Sequence, residues 1–240
     1  KIGKPLNMRY LNEQYRQAFA FLRGPLAVYL KNTAITFAVI ALVFYGTCLF
    51  LPNVRDSLLS YIQNIVDSAA IATEAGGFSA LRILENNLRA AAFSVLYGII
   101  PFLFIPALPI GLNAAVLGAM AASYQIKGLS LLLYAAALIP HGIFEFPALF
   151  IAFASGLYLC YNATAHVLGK EGTAPFFPTI RALLQVFLLI VIPLLIVASV
   201  VEAYITPLFV SLFLGKQQKM AVTMAAASVP VLFFLCLCTS

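Results

Sequence analysis

Tryptophan is absent from this 240-residue chain, and charged side chains make up only 9% of it. So little charge cannot coat a water-soluble globule of this length. With 63% hydrophobic residues and a mean hydropathy of +1.01, the chain reads as an integral membrane protein. Strand-like alternation is missing too. Several apolar runs instead approach or exceed the roughly 20 residues that cross a hydrocarbon core about 30 Å thick, which argues for helices and against a β-barrel. Without Trp, the 11 tyrosines are left to occupy the interfacial belts. The expected fold is all-α: a polytopic transmembrane helical bundle with broken or half helices and one or two interfacial amphipathic helices.

Catalytic signatures are scarce as well. There is no His-Glu-x-x-His, no Gly-x-Ser-x-Gly elbow and no phosphate-binding loop, so hydrolytic chemistry has weak support. Of the 4 cysteines, Cys48 and Cys160 lie in apolar segments and Cys236 and Cys238 near the end. None has zinc-finger spacing, and buried small hydrophobes are the default reading. The net charge of +6 does not indicate nucleic acid, because Lys1, Lys4, Arg9, Arg16, Arg23 and Lys31 all precede the first span. The positive-inside rule makes them a cytoplasmic anchor in a plasma-membrane protein. The lysine-rich opening does not resemble a cleaved signal peptide, and the chain is read as largely mature.

Residues 1–31 are therefore taken as a cytoplasmic basic amphipathic segment, and residues 32–240 as a single transmembrane domain of five to seven helices. Within the first segment Met8, Leu11, Tyr15, Phe19 and Leu22 recur at helical spacing, so a helix lies either on the inner leaflet or against the protein's own cytoplasmic loops. The first span is expected over 32–51. A second amphipathic helix is expected over 55–71. The apolar stretch 90–110 carries Gly98, Pro101, Pro106 and Pro109, which imply bends or a break. Residues 112–124 form a short apolar helix. Residues 129–161 as one straight helix would be about 50 Å long, and Pro140-His141-Gly142 is the expected breaking point. A span follows over 182–201, ending at Glu202, and a final apolar run over 220–238.

Inside these apolar helices stand His141, Glu145 and Glu202. A charge at the centre of a membrane helix costs roughly 2.5–3.5 kcal/mol on insertion scales, so such groups are functional candidates by default. No Lys or Arg lies inside the same helices to neutralise the carboxylates. His141 and Glu145 are four apart and share a helix face. Glu202 ends the next span, which brings it beside them if the two spans are antiparallel neighbours. A His-x-x-x-Glu pair with a carboxylate from another helix suits a divalent metal, zinc above all. A purely structural polar cluster and a proton or ion pathway are the alternatives. Asn86, Asn87 and Asn113 head apolar helices and are candidate ligands or their supporting partners. Ala148, Ala152 and Gly156 continue the same face as a close-packing stripe. That stripe admits a homo-oligomer, or packing within one chain.

At these residues the sequence resembles the stage II sporulation protein M family of bacterial and archaeal membrane proteins. The resemblance rests on "ENNLRAAAFSVLYGI" (85–99), "GLNAAVLG" (111–118), "IPHGIFEFPALFIAFASGL" (139–157) and "VEAYITP" (201–207), in that order. Asn87, Asn113, His141, Gly142, Glu145 and Glu202 correspond to the family's polar motif positions. The resemblance implies a polytopic helical membrane protein, and no organic cofactor is expected. The family is named for a member that works with peptidoglycan-degrading enzymes during forespore engulfment. The expected role is a membrane scaffold partnering other membrane or cell-wall-remodelling proteins, with a metal-dependent intramembrane enzyme or a transporter component as alternatives. The final stretch from Lys216 onward has no counterpart in the resemblance.

Overall fold

The computed structural model describes residues 8–69 and 79–213, with side chains of 62–69 and 213 left aside. The expected final apolar run lies outside the described residues. Every regular element within them is helical, with no strand. Helix α1 is Met8–Arg23, α2 Ala27–Phe50, α3 Pro52–Ala69, α4 Ala80–Tyr97, α5 Ala107–Ile126 and α6 Leu131–Val167. A last long helix runs from Phe176 to Leu212. It comprises α7 (Phe176–Val186), α8 (Ile192–Val200) and α9 (Thr206–Phe213), joined by two π-helical turns, 187–191 and 201–205. Helices α2, α5, α6 and the last helix are each long and apolar enough to cross a bilayer.

Contacts between rings and cores fix the directions of the helices. Tyr29, near the start of α2, meets Tyr158 near the end of α6 edge-on at 5.2 Å, so these two helices run in opposite senses. Helices α2 and α5 run in the same sense: Phe37 shares a core with Ile110 and Ala114, and Tyr45 donates a hydrogen bond to Gln125. Their backbones nearly touch. A Cβ on Gly118 would collide with the Ala41 carbonyl, and small residues are what allow membrane helices so close.

Helix α1 is seated on the bundle itself. Ala18 is fully buried, Phe21 packs edge-on against Tyr158 at 5.6 Å, and Gln185 of α7 donates to Gln14 and Gln17. The segment thus packs on α6 and α7, where the expectation named loops or the inner leaflet. Its outer face still presents Met8, Tyr10 and Phe19. On that surface a hydrogen bond from the Arg16 guanidinium holds the Glu13 carboxyl below the usual carboxylate range.

The proline-rich stretch breaks where bends were expected. Between α4 and α5, residues 98–106 leave helical geometry, with Phe102 and Phe104 at positive φ of 69° and 46°. This turn is tied to α6 by Phe102 N–H donating to Thr164 Oγ1 at 2.8 Å. The break expected at Pro140-His141-Gly142 is not there. Helix α6 runs unbroken for 37 residues through Pro140 and Pro147. Each proline removes one backbone donor and strains one turn. Buried neighbours on several sides hold the helix together, and Gly142 adopts ordinary helical geometry. Beyond its apolar run α6 continues through Asn162 and His166 to Val167.

The small-residue stripe is consumed inside the chain. Ala148 and Ala152 are fully buried, and a Cβ on Gly156 would strike the Ser94 carbonyl of α4. It therefore carries no argument for association between copies.

Candidate buried polar centre

The site begins with two prolines in the last helix. Each π turn stops just before one: 187–191 precedes Pro193 and 201–205 precedes Pro207. A proline has no N–H and its ring clashes with the carbonyl four residues back, so the preceding turn widens. The residue ahead of each proline accordingly donates five residues back, Ile192 to Phe187 and Thr206 to Val201. Glu202 lies inside the second widened turn. Pro207 thus shapes the backbone that presents both Glu202 and Thr206 to α6.

Because α6 and the last helix are antiparallel, the early part of one meets the late part of the other. The expected convergence is observed. One ligand atom from each of His141, Glu145 and Glu202 lies within 4.8 Å of the others. The three residues are 1%, 3% and 3% exposed, so the centre is sealed. His141 Nε2 and Glu145 Oε2 are 4.0 Å apart, too far for a direct hydrogen bond.

Thr206 is the neighbour that the sequence reading did not select. Its hydroxyl donates to the Val201 carbonyl at 3.2 Å and lies 3.2 Å from His141 Nδ1. A hydroxyl has one hydrogen, and this one is committed to Val201. In the tautomer that carries its proton on Nδ1, that oxygen accepts it, and the Nε2 lone pair then faces Glu145. The signal was present in the sequence, since Thr206 stands four residues after Glu202. It stands inside the quoted "VEAYITP", but hydroxyls are common in membrane helices, and only the fold sets it beside His141. Thr206→Val should remove the acceptor and cost about 1–3 kcal/mol, seen as a lower unfolding temperature in detergent, while Thr206→Ser should restore most of it.

The remaining polar groups differ in their surroundings. Both oxygens of Glu202 and both polar atoms of the Asn87 side chain are buried without a hydrogen-bond partner. Asn113 is buried but turns back on its own helix, its Nδ2 donating to the Pro109 carbonyl at 2.9 Å. Asn86 is only half-buried. Gly142 is buried, and a Cβ there would lie 3.0 Å from the Phe146 ring.

A one-nitrogen, two-carboxylate donor set is one that divalent cations use. Zinc holds such donors about 2.0–2.2 Å away, so donors up to 4.8 Å apart stand slightly wider than zinc spans, and modest torsions of the glutamates close the difference. The residues present fit a divalent ion.

A helical bundle that crosses the membrane several times and buries a His/Glu/Glu centre defines a polytopic integral membrane protein. The stage II sporulation protein M family model matches residues 33–207, and the chain belongs to that family. An uncharacterized protein of Methanocaldococcus jannaschii is 31% identical over 158 residues, covering 65% of this chain and 82% of the relative. No solved structure matches. The matched span includes the whole buried centre and leaves α1 outside.

Proposed function

We propose that this family member is a non-enzymatic membrane scaffold whose bundle is fastened by one divalent cation bound to His141, Glu145 and Glu202. The observation that carries the reading is the Glu202 carboxylate, buried beside a histidine and a second glutamate with neither oxygen partnered. Leaving such oxygens unsatisfied costs on the order of 1–3 kcal/mol or more each. Two carboxylates and a neutral imidazole sum to −2, so a divalent ion brings the pocket to neutrality where the dielectric is low. Zinc is the ion the donor types first suggest.

A structural role fits a sealed site better than turnover does, because a lipid-linked substrate or water would need a way in and all three residues are almost wholly covered. The same closure speaks against an open transport pathway. Kinship with a family named for a sporulation protein supports envelope-remodelling partners, membrane-bound or acting on the cell wall. Positive charge around α1 supports a cytoplasmic N-terminal side in the plasma membrane, with residues 32–240 as one membrane domain. Association between copies would use the outward face of α2, where Ile35, Val39, Leu42 and Val43 are exposed.

Metal analysis of protein purified without chelators or added metal tests the reading. One equivalent of a divalent ion per chain is expected, and it should be lost in Glu145→Gln and Glu202→Gln. Wild-type protein that carries no stoichiometric metal, and takes up none when offered zinc or manganese, would sink it.

A further inference from the structure

Asn87 is 1% exposed, and neither its amide oxygen nor its amide nitrogen has a partner. An unpaired amide in an apolar interior is costly, and the packing of α4 shows what it faces. One turn before Asn87, Ile83 belongs to the core that contains Ala137 of α6 and Val210 of the last helix, with Ala203 packed against it. One turn after it, Ala91 belongs to the core that contains Ala148 of α6 and Leu195 of the last helix. Asn87 lies on the same α4 face between these two anchors. On α6 the interval from Ala137 to Ala148 holds His141 and Glu145. On the last helix the interval from Val210 back to Leu195 holds Glu202 and Thr206. Helix α4 also packs directly on the π turn 201–205.

Resting on the metal reading above, we infer that Asn87 supplies the fourth ligand through its amide oxygen, making the centre an oxygen-rich site shared by three helices and suited to a harder divalent cation such as manganese. The donor chemistry sets the class of ion. One nitrogen with three oxygens is a harder donor set than zinc sites usually present, and carbonyl and carboxylate oxygens suit Mn²⁺ and its like. An amide adds a ligand without adding charge, so two carboxylates still balance one divalent ion. It also ties α4 to the other two helices, which His141, Glu145 and Glu202 alone do not.

The test uses the full-length protein in detergent, stripped of metal and titrated separately with Mn²⁺, followed by electron paramagnetic resonance, and with Zn²⁺, followed by competition against a chromophoric chelator. Asn87→Leu should weaken Mn²⁺ binding at least about tenfold and Zn²⁺ binding clearly less, so that the preference shifts toward zinc. Asn87→Asp, which keeps an oxygen in place and adds charge, should tighten Mn²⁺ binding relative to the wild type. Equal losses for both ions in Asn87→Leu, or unchanged Mn²⁺ affinity in Asn87→Asp, would overturn the assignment while leaving the three-residue site intact. If the wild type binds neither ion, the underlying metal reading fails and the Asn87 ligand falls with it. Should the leucine variant not fold, the aspartate variant decides alone.

Discussion

Replacing His141 alone with leucine should destabilise the protein by about 3–5 kcal/mol, whereas the triple replacement His141→Leu, Glu145→Met, Glu202→Met should recover most of that loss. The first figure is what removal of one partner from a buried charged cluster typically costs, because the remaining charges stay behind uncompensated. Here the imidazole lies 4.0 Å from the Glu145 carboxylate, and Glu202 already lacks any hydrogen-bond partner. Two carboxylates would then face each other in an apolar interior with one ligand fewer to hold a cation. The triple variant leaves nothing to neutralise, and apolar side chains of similar length fill the space. Unfolding midpoints in detergent, with and without added Mn²⁺ or Zn²⁺, measure both effects. Only the wild type should respond to metal. A triple variant that is stable and still assembles with its partners would mark the cation as a fastener, while one that is stable but inactive in a remodelling assay would point to chemistry at the site. A single His141→Leu variant as stable as the wild type would show that the three groups do not depend on each other.

Gly156→Ala should be nearly as damaging through a different cause. The added methyl would be driven into the Ser94 carbonyl of α4 and would stand 2.9 Å from Pro106 Cβ. Neither neighbour can rotate away, since one is helical backbone and the other a ring inside the turn between α4 and α5. Gly98 meets Gly156 backbone from the opposite side in the same manner, so α4 and α6 would have to separate. Overpacking of this kind costs about 1–3 kcal/mol where side chains yield, and more where backbone must move. A loss of roughly 3 kcal/mol or more, with a sharp fall in monodisperse yield, is expected. Gly46→Ala in α2 is the matched control: a Cβ there meets nothing within 4 Å, and relief of glycine's helix penalty should leave stability unchanged or raise it by up to about 1 kcal/mol. Equal behaviour of the two variants would refute the close approach of α4 and α6.

The sequence carried the site further than it carried the backbone. His141, Glu145 and Glu202 were legible because ionisable groups within apolar helices demand compensation, and short connections force neighbouring spans to be antiparallel. Asn87 was legible only as a polar residue heading an apolar helix, and its neighbours became apparent once Ile83 and Ala91 located α4 in the bundle. Thr206 was missed because its importance lies in where its single hydrogen goes. The error at Pro140 has a general cause: proline weakens a helix locally, but whether the helix breaks depends on neighbours that local sequence does not name. The pairing of α2 with α5 is alike: Gly118 closes the quoted "GLNAAVLG", but the Ala41 carbonyl it meets belongs to a helix that the motif does not name.

The widened turn at 201–205 has a consequence for how this protein tolerates change in length. It holds one more residue than a regular turn, so removing one residue between Ala203 and Ile205 would leave the last helix continuous and regular. The Thr206 N–H that now donates five residues back to Val201 would become an ordinary four-back donor, so the helix on either side keeps its facing. What changes is confined to the turn: Glu202 and Thr206 would stand three residues apart instead of four, and the bulge that presents both to α6 would be gone. A deletion that repairs the helix would thus disturb the centre alone, which makes the apparent irregularity a part of the site and not of the scaffold.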